Sequence, residues 1–391
     1  MLNQSLALCN GCAACAAVCP KGAISMEPNN EGFLYPQINS RLCVSCGLCE
    51  ERCPIIRKYE PGVHDNIIYA VMNTDESIRK LSSSGGVFRL LAEKVLLEDG
   101  IVFGAKFDED FSVMHGCAEK LDDLEAFQGS KYVQSRIGDS YQRVKQCLES
   151  KRLVLFSGTP CQIAGLKSYL HHEHENLYCV DIVCHGVPSP KVWEKYCKEI
   201  EKRVGSKIQC VSFRDKSTGW RNYHVTFHFR NGTIITKHHS KDPMMKAFIQ
   251  NICLRDSCYQ CKFKGIARSS DITLADFWGI ERILPNIDDD LGTTLMVLHT
   301  DKGRLLFDTV RPNVISEKVD AINVLNLNPM MIDSASRHPR RSEFFMSLDT
   351  EPFELTVKRY CKEGIISTCK QMLLSGIDQI ERMTKCGGRK K

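Results

Sequence analysis

Two stretches of this chain repeat one spacing. "CNGCAACAAVCP" places Cys9, Cys12, Cys15, Cys19 and Pro20, and "CVSCGLCERCP" places Cys43, Cys46, Cys49, Cys53 and Pro54, 34 residues further on. Each run is C-x2-C-x2-C-x3-C-P. Three closely spaced thiolates wrap one corner of a four-iron cube, while the fourth lies too far round to close the same cluster and ligates the other one. The pattern therefore assigns Cys9, Cys12, Cys15 and Cys53 to one [4Fe–4S] cluster, and Cys43, Cys46, Cys49 and Cys19 to a second. Structural zinc would ask instead for two Cys-x-x-Cys pairs, not triplets followed by Cys-Pro.

Residues 1–60 thus resemble a bacterial two-cluster ferredoxin, which implies one-electron transfer and names no substrate. At 391 residues the chain suits two or three domains. Its net charge of +5 is matched by the nine Lys/Arg against four Asp/Glu of residues 353–391. That tail reads as a solvated helical face, with docking to an acidic partner as the second reading, and nothing calls for nucleic acid. The opening "MLNQSLALCN" lacks a charged segment followed by a long apolar one. No run nears the roughly 18 apolar residues of a membrane span. Twenty-one cysteines in that setting indicate metal thiolates in a reducing cytoplasm, without membrane insertion.

The polar stretch 58–66, with Pro61 and Gly62, marks a boundary. Residues 82–100 predict a helix opened by Ser and Gly, with Val87, Leu90, Leu91 and Val95 as its apolar stripe. Strands are expected at 101–105, 153–156, 177–183 and 293–300, helices from 157–166 and over 189–205, and a type I′ hairpin at Asn231-Gly232. Strands alternating with helices predict an α/β or mixed α+β core after residue 66. The parts are 1–60, 67–150, 151–320 and a helical extension, 321–391. No G-x-G-x-x-G occurs, and "GTPCQIAGLKS" misses the phosphate-loop spacing.

A further pair, Cys258 and Cys261, lies among Arg255, Lys262, Lys264 and Arg268, a setting that favours thiolate. Two cysteines cannot hold a cubane; the candidates at turns are Cys161, Cys184 and Cys253. Cys161 and Cys184 follow predicted strands, at the edge where an α/β sheet collects its functional groups. Gly85 and Gly86, at a helix start, offer N–H groups to an anion such as a flavin pyrophosphate, with a tight packing turn as the competing reading.

"SSSGG", "GSKYVQS", "GTPCQIAGLK", "DIVCHG" and "LRDSCYQCKFK" with "DITLADFWG" occur in that order. Together they resemble the family of beta subunits of coenzyme F420 (deazaflavin) hydrogenases and dehydrogenases, over residues 1 to about 310. The resemblance implies a mixed α/β core holding noncovalent FAD and a third [4Fe–4S] cluster on Cys161, Cys184, Cys258 and Cys261, with Cys253 in reserve. On those turns it implies flavin contacts from Ser83, Ser84, Gly85, Gly86, Ser130, Lys131, Tyr132, Gln134, Thr159, Pro160 and Gln162. His185 and Lys216 are the candidate catalytic groups, His185 as a proton donor or else as an ordinary hydrogen-bonded histidine, and Arg214 and Trp220 are expected to line a substrate pocket with them. Asp271 is read as orienting a ligand and Asp276 as stabilising a turn. The expected protein exchanges electrons between ferredoxin, or a redox partner subunit, and a deazaflavin or other two-electron acceptor. The alternative is an electron-transfer subunit with no substrate of its own.

Overall fold

The computed structural model describes residues 6–57, 62 and 65–362. The boundary expected at 58–66 and the basic tail beyond 362 fall largely outside these residues.

Residues 8–55 are organised around an antiparallel pair, β1 (Ile24–Pro28) and β2 (Leu34–Ile38), with Ile24 opposite Ile38. Each cysteine run forms a loop and then a short helix, Ala14–Val18 or Leu48–Glu51. The two loops turn left-handed at equivalent places: Gly11 and Ala13 have φ of 70 and 61, Ser45 and Gly47 of 55 and 77. Such alternation aims successive N–H groups into the loop, a nest suited to anionic sulfur; Gly11 N–H donates to Cys9 Sγ at 3.4 Å. The 34-residue repeat is thus a repeat of backbone conformation as well as of cysteines.

The remaining chain builds one eight-stranded sheet from β3 (Ile67–Asn73), β4 (Ile101–Phe107), β5 (Val113–Ala118), β6 (Val154–Gly158), β7 (Leu177–Ile182), β11 (Ile272–Asp276), β12 (Thr294–Leu298) and β13 (Val314–Lys318). Their order is β13-β3-β12-β11-β7-β6-β4-β5. The centre, β4-β6-β7-β11, is parallel, and antiparallel strands flank it on both sides. Parallel strands are buried on both faces and read as continuous apolar runs. Val102, Leu155, Val180 and Ile272 face one side, against Val87, Leu91 and Val95 of the helix Val87–Leu97. Ile101, Phe103, Val154, Phe156 and Cys179 face the other, against Ile163, Leu166 and Leu170 of the helix Pro160–Leu170. The apolar stripe expected on the first of these helices is buried as a unit, although the helix begins at Val87 rather than Ser82.

A second sheet, β10-β9-β8, comprises β8 (Ile208–Asp215), β9 (His224–Phe229) and β10 (Ile234–His238). The hairpin at Asn231-Gly232 forms, but not as type I′, which needs positive φ at both central residues. Only Gly232 has it (φ 84), and Phe229 N–H bonds to Thr233 O, so the loop has three residues with glycine in the left-handed position. The helix expected over 189–205 spans Pro190–Val204, with Ser189 at its cap and Gly205 (φ 71) ending it. Two helices, Arg341–Leu348 and Phe353–Tyr360, close the described chain. No helix among the described residues is long and apolar enough to cross a membrane.

Candidate functional site

β6 and β7 are parallel neighbours, with Gly158 opposite Asp181, and the chain leaves both at the same edge. Just past β6, Pro160 opens the helix Pro160–Leu170, and Gln162 Oε1 accepts the Thr159 N–H at 2.9 Å to fix its first turn. That turn carries Cys161. Just past β7 comes Cys184, and the short turn Asp256–Gln260 brings Cys258 and, after it, Cys261. All four cysteines line one pocket, together with Asn10, Gln134, Thr159, Pro160, Gln162, His185 and Lys264. Cys258 Sγ accepts the Val187 N–H at 3.4 Å, and Thr159 Oγ1 lies 3.2 Å from Cys161 Sγ. Cys253, by contrast, is 0% exposed within an apolar cluster that includes Val192 and Phe344, and it does not line the pocket.

A second pocket is lined by Cys9, Cys12, Cys15 and Cys53, the triplet of one run and the last cysteine of the other. Of the remaining set, Cys19 ends the helix Ala14–Val18, Cys49 lies in the helix packed against it, and Cys43 and Cys46 are exposed. Among the described residues no three His, Cys, Asp or Glu side chains gather closely enough to bind a single metal ion. Ligands of a four-iron cluster have no such need: each thiolate takes its own iron, so the set surrounds the cluster instead of meeting at a point.

The two pockets are neighbours. Asn10 lines both. Gly165 lies one helical turn after Cys161, about 6 Å along the same helix, and a Cβ on it would stand 2.8 Å from Cys12 Cβ and 2.9 Å from Tyr141 Oη. Only hydrogen at position 165 lets the first cysteine loop rest on the helix that presents Cys161. Neither contact was read from sequence; the available signal was a glycine inside a helical pattern. Gly165→Ala tests it. Alanine gains about 1 kcal/mol of helix propensity, but overpacking an anchored neighbour costs about 1–3 kcal/mol. The expected result is a net loss of about 1 kcal/mol in thermal unfolding, with easier loss of iron from the N-terminal segment.

Burial dominates the thiols. It pushes Cys12 and Cys258 up to about 12 and Cys184 up to about 11, and it holds Cys161 well above its ordinary value. The basic setting expected to favour thiolate at Cys258 is therefore outweighed by desolvation. Arg255 beside Cys258 and Lys264 beside Cys184 pull down only part of the rise. A metal bound by these thiols would have to displace those protons.

The expected flavin contacts divide into two groups. Gln134, Thr159, Pro160 and Gln162 line the cysteine pocket. Ser83, Ser130 and Tyr132 meet elsewhere: Ser83 Oγ lies 2.7 Å from Ser130 Oγ, and Arg214 reaches Ser83 O and Tyr132 Oη, each at 3.4 Å. Trp220 Nε1 also donates to Ser83 O, and Trp220 stacks on Trp278 with ring centroids 4.7 Å apart. Tyr132 stacks on Phe248, whose edge meets His185, so a line of rings joins the two groups. Ser84 and Gly85 are tied to β12 and its approach: Ser84 Oγ donates to Thr293 O, and Gly85 N–H to Thr294 Oγ1 at 2.9 Å. Gly85 N–H is thereby committed inside the protein, which favours the packing-turn reading for that residue. Gly86 (φ 77) begins the helix Val87–Leu97 without a side-chain cap. Lys131 bonds to carbonyls of its own turn, Gln128 and Gly129, and desolvation lowers it to about 7.

Lys216 gives its ammonium protons to three backbone carbonyls, of Arg79, Ser84 and Leu291, pinning the serine turn to the loop before β12. His185 lies in the cysteine pocket, its Nε2 2.5 Å from Asn251 Oδ1, and burial lowers it to about 4. It is neutral near pH 7, with one ring nitrogen engaged by Asn251. Asp276 ends β11 and pairs with Arg214 at 3.0 Å, so it serves the serine–arginine cluster rather than a turn. Asp271 is buried and accepts the Cys179 N–H and the Thr300 hydroxyl, a structural duty rather than the orientation of a ligand.

Comparison with known proteins gives two family matches. Residues 8–55 match the 4Fe-4S dicluster domain, and residues 151–321 match the C terminus of the coenzyme F420 hydrogenase/dehydrogenase beta subunit. A coenzyme F420-dependent sulfite reductase from Methanocaldococcus jannaschii is 25% identical over 340 residues, 82% of this chain and 49% of that protein. The F subunit of the F(420)H(2) dehydrogenase of Methanosarcina mazei is 20% identical over 201 residues, 47% of this chain and 57% of that protein. The chain therefore spans about half the length of these relatives. A solved chain from the F420-reducing [NiFe] hydrogenase complex of Methanosarcina barkeri aligns over 70% of this chain and 90% of its own length, with 16% identity and a TM-score of 0.47. The chain thus joins a match to the 4Fe-4S dicluster domain, over residues 8–55, to a match over residues 151–321 to the C terminus of the coenzyme F420 hydrogenase/dehydrogenase beta subunit.

Proposed function

We propose that the chain is an iron–sulfur flavoprotein oxidoreductase that passes electrons between ferredoxin-type clusters and, through FAD, a deazaflavin or other two-electron organic acceptor. The observation that carries this reading is the wall shared by two four-cysteine pockets, with Asn10 in both and Cys12 seated on the helix of Cys161. Cys161, Cys184, Cys258 and Cys261 supply a full set of soft ligands for a third [4Fe–4S] cluster. Lys264 and Arg268 on the same pocket's walls suit its negative charge.

The serine–arginine cluster fits an anionic, aromatic cofactor. Arg214 Nε is buried without a hydrogen-bond partner, Ser83 and Ser130 offer hydroxyls, and the helix after Gly86 starts uncapped. FAD, when bound, exchanges single electrons with clusters and pairs of electrons with organic molecules. At the other end, Cys43 and Cys46 are exposed beside Leu42 and Val44, themselves 49% and 58% exposed. That face suits a visiting ferredoxin or a redox partner subunit. A second reading, an electron-transfer subunit with no substrate of its own, draws support from the Methanosarcina mazei relative, which is named as a subunit.

Anaerobic purification with iron, sulfide and flavin analysis tests the scheme. About twelve irons per chain and one FAD are expected, since three cubanes carry four irons each. About eight irons removes the third cluster, and zinc without flavin removes the whole scheme. Turnover of a deazaflavin by the isolated chain with reduced ferredoxin separates the enzyme from the bare subunit.

A further inference from the structure

Arg255 is 0% exposed and spans the junction between the two inner cysteine pockets. Its Nε donates to Cys9 O at 2.7 Å, Nη2 to Leu34 O at 2.9 Å and Nη1 to Gln134 Oε1 at 3.2 Å. Its own carbonyl accepts the Cys258 N–H at 2.9 Å. The guanidinium lies 4.0 Å from the centre of the Tyr35 ring. Every one of these acceptors is neutral. The adjacent carboxylate, Asp256, is engaged by Arg337 and Arg341 instead. A buried cation without an anion is costly, and this one is bonded to the backbone of Cys9 on one side while its own carbonyl holds the backbone of Cys258 on the other.

The first cysteine loop is moulded to this side chain. A Cβ at Gly11 would fall 2.6 Å from Gln134 Nε2 and 3.1 Å from Arg255 Nη1. The equivalent position of the second loop, which has the same left-handed backbone, is Ser45. Two loops of one conformation differ where only one of them meets an arginine.

We propose that Arg255 is a positioning residue that serves both inner clusters at once, a fixed cation that compensates their thiolates and raises both reduction potentials. The proposal deepens the relay reading above and rests on it for the third cluster. A nearby positive charge favours the state with one more electron, so its removal lowers the potential. The experiment is EPR-monitored redox titration of the anaerobically assembled full chain as wild type, Arg255→Gln and Arg255→Lys. In Arg255→Gln the reduction equilibria of the cluster on Cys9, Cys12, Cys15 and Cys53 and of the cluster on Cys161, Cys184, Cys258 and Cys261 fall about tenfold or more, which is about 59 mV for a one-electron couple. The exposed second cluster is unmoved and serves as internal control. Arg255→Lys, which keeps the charge, recovers most of the shift even where stability is lost.

Unchanged midpoints in Arg255→Gln with full iron overturn the proposal. So does an Arg255→Lys variant that shifts as far as Arg255→Gln, because shape alone would then be at work. Should Arg255→Gln fail to assemble, the lysine variant decides: wild-type midpoints support the charge, and lowered ones overturn it. A wild type holding only about eight irons defeats the third-cluster reading separately, since the shift is still read at the first cluster.

Discussion

On the proposed scheme of three clusters and a flavin, Cys258→Ser should leave about eight of about twelve irons in the chain and stop ferredoxin from reducing the flavin, while the EPR signals of the two N-terminal clusters persist. Cys258 is held from three sides. Its N–H donates to Arg255 O, its Sγ accepts the Val187 N–H, and its Cβ sits 3.3 Å from where a side chain on Gly186 would begin. Serine keeps that placement but offers a hard oxygen on a shorter bond in place of soft sulfur. The loss of rate should exceed the roughly 100-fold typical of losing an outer partner of a metal site, because on that scheme a ligand itself is gone. Anaerobic stopped-flow reduction at the flavin absorbance reads the rate, and iron analysis reads the occupancy. Cys253→Ser is the paired control. Cys253 is buried among apolar side chains, so a serine there costs about 1–3 kcal/mol for its unsatisfied hydroxyl and leaves iron and rate as they were. Rapid flavin reduction in Cys258→Ser at eight irons would mean that electrons take another road.

The cysteine runs were legible because cluster chemistry dictates ligand spacing along the chain, and spacing is what a sequence displays. The meeting of Cys161 and Cys184 in one pocket was legible for a different reason: strand ends of a parallel sheet share an edge, and both residues follow apolar runs that form β6 and β7. What stayed hidden depends on parts far apart in sequence. Asn10 in the wall of both pockets, Cys12 against Gly165 and Arg255 against Cys9 all arise where the N-terminal segment docks on the core. No periodicity records a docking angle. Asp276 was misread for a related reason: its local sequence suggested a turn, but its partner Arg214 lies 62 positions away. The hairpin failed at shorter range, because Asn-Gly is compatible with two loop lengths, and the register of β9 on β10 selects the longer. The antiparallel flanks of the sheet were equally unreadable, since a short buried strand looks alike in either direction.

Arg341→Leu is expected to destabilise the chain by about 3 kcal/mol, near the lower end of the cost of breaking a buried ion pair. The guanidinium is 1% exposed and joins three regions. Nη1 and Nη2 grip both oxygens of Glu31, at 2.7 and 2.5 Å, in the turn between β1 and β2. Nε and Nη2 donate to Leu254 O, at 3.0 and 2.8 Å, one residue before Arg255. The residue itself opens the helix Arg341–Leu348. Two effects compete in the variant. Leucine fills apolar space beside Phe345, over whose ring the cation stood at 4.6 Å. Against that, the Leu254 carbonyl loses two donors and the Glu31 carboxylate loses its bidentate partner. Glu31 is 23% exposed and recovers some hydration, which is why the expected cost sits at the lower end of the range. Leu254 is 0% exposed and recovers none. Glu31→Gln, which leaves the Arg341 contacts to Leu254 O in place, should cost only about 1 kcal/mol, in the range of a single hydrogen bond. Denaturant unfolding of the assembled chain followed by cluster absorbance measures both, and equal losses in the two variants would show that the carboxylate, not the carbonyl, sets the cost. Since the strut ends beside Arg255, Arg341→Leu should also release iron from the first cluster at lower denaturant than from the proposed third, the order expected if the N-terminal segment lifts from the core before the core itself opens.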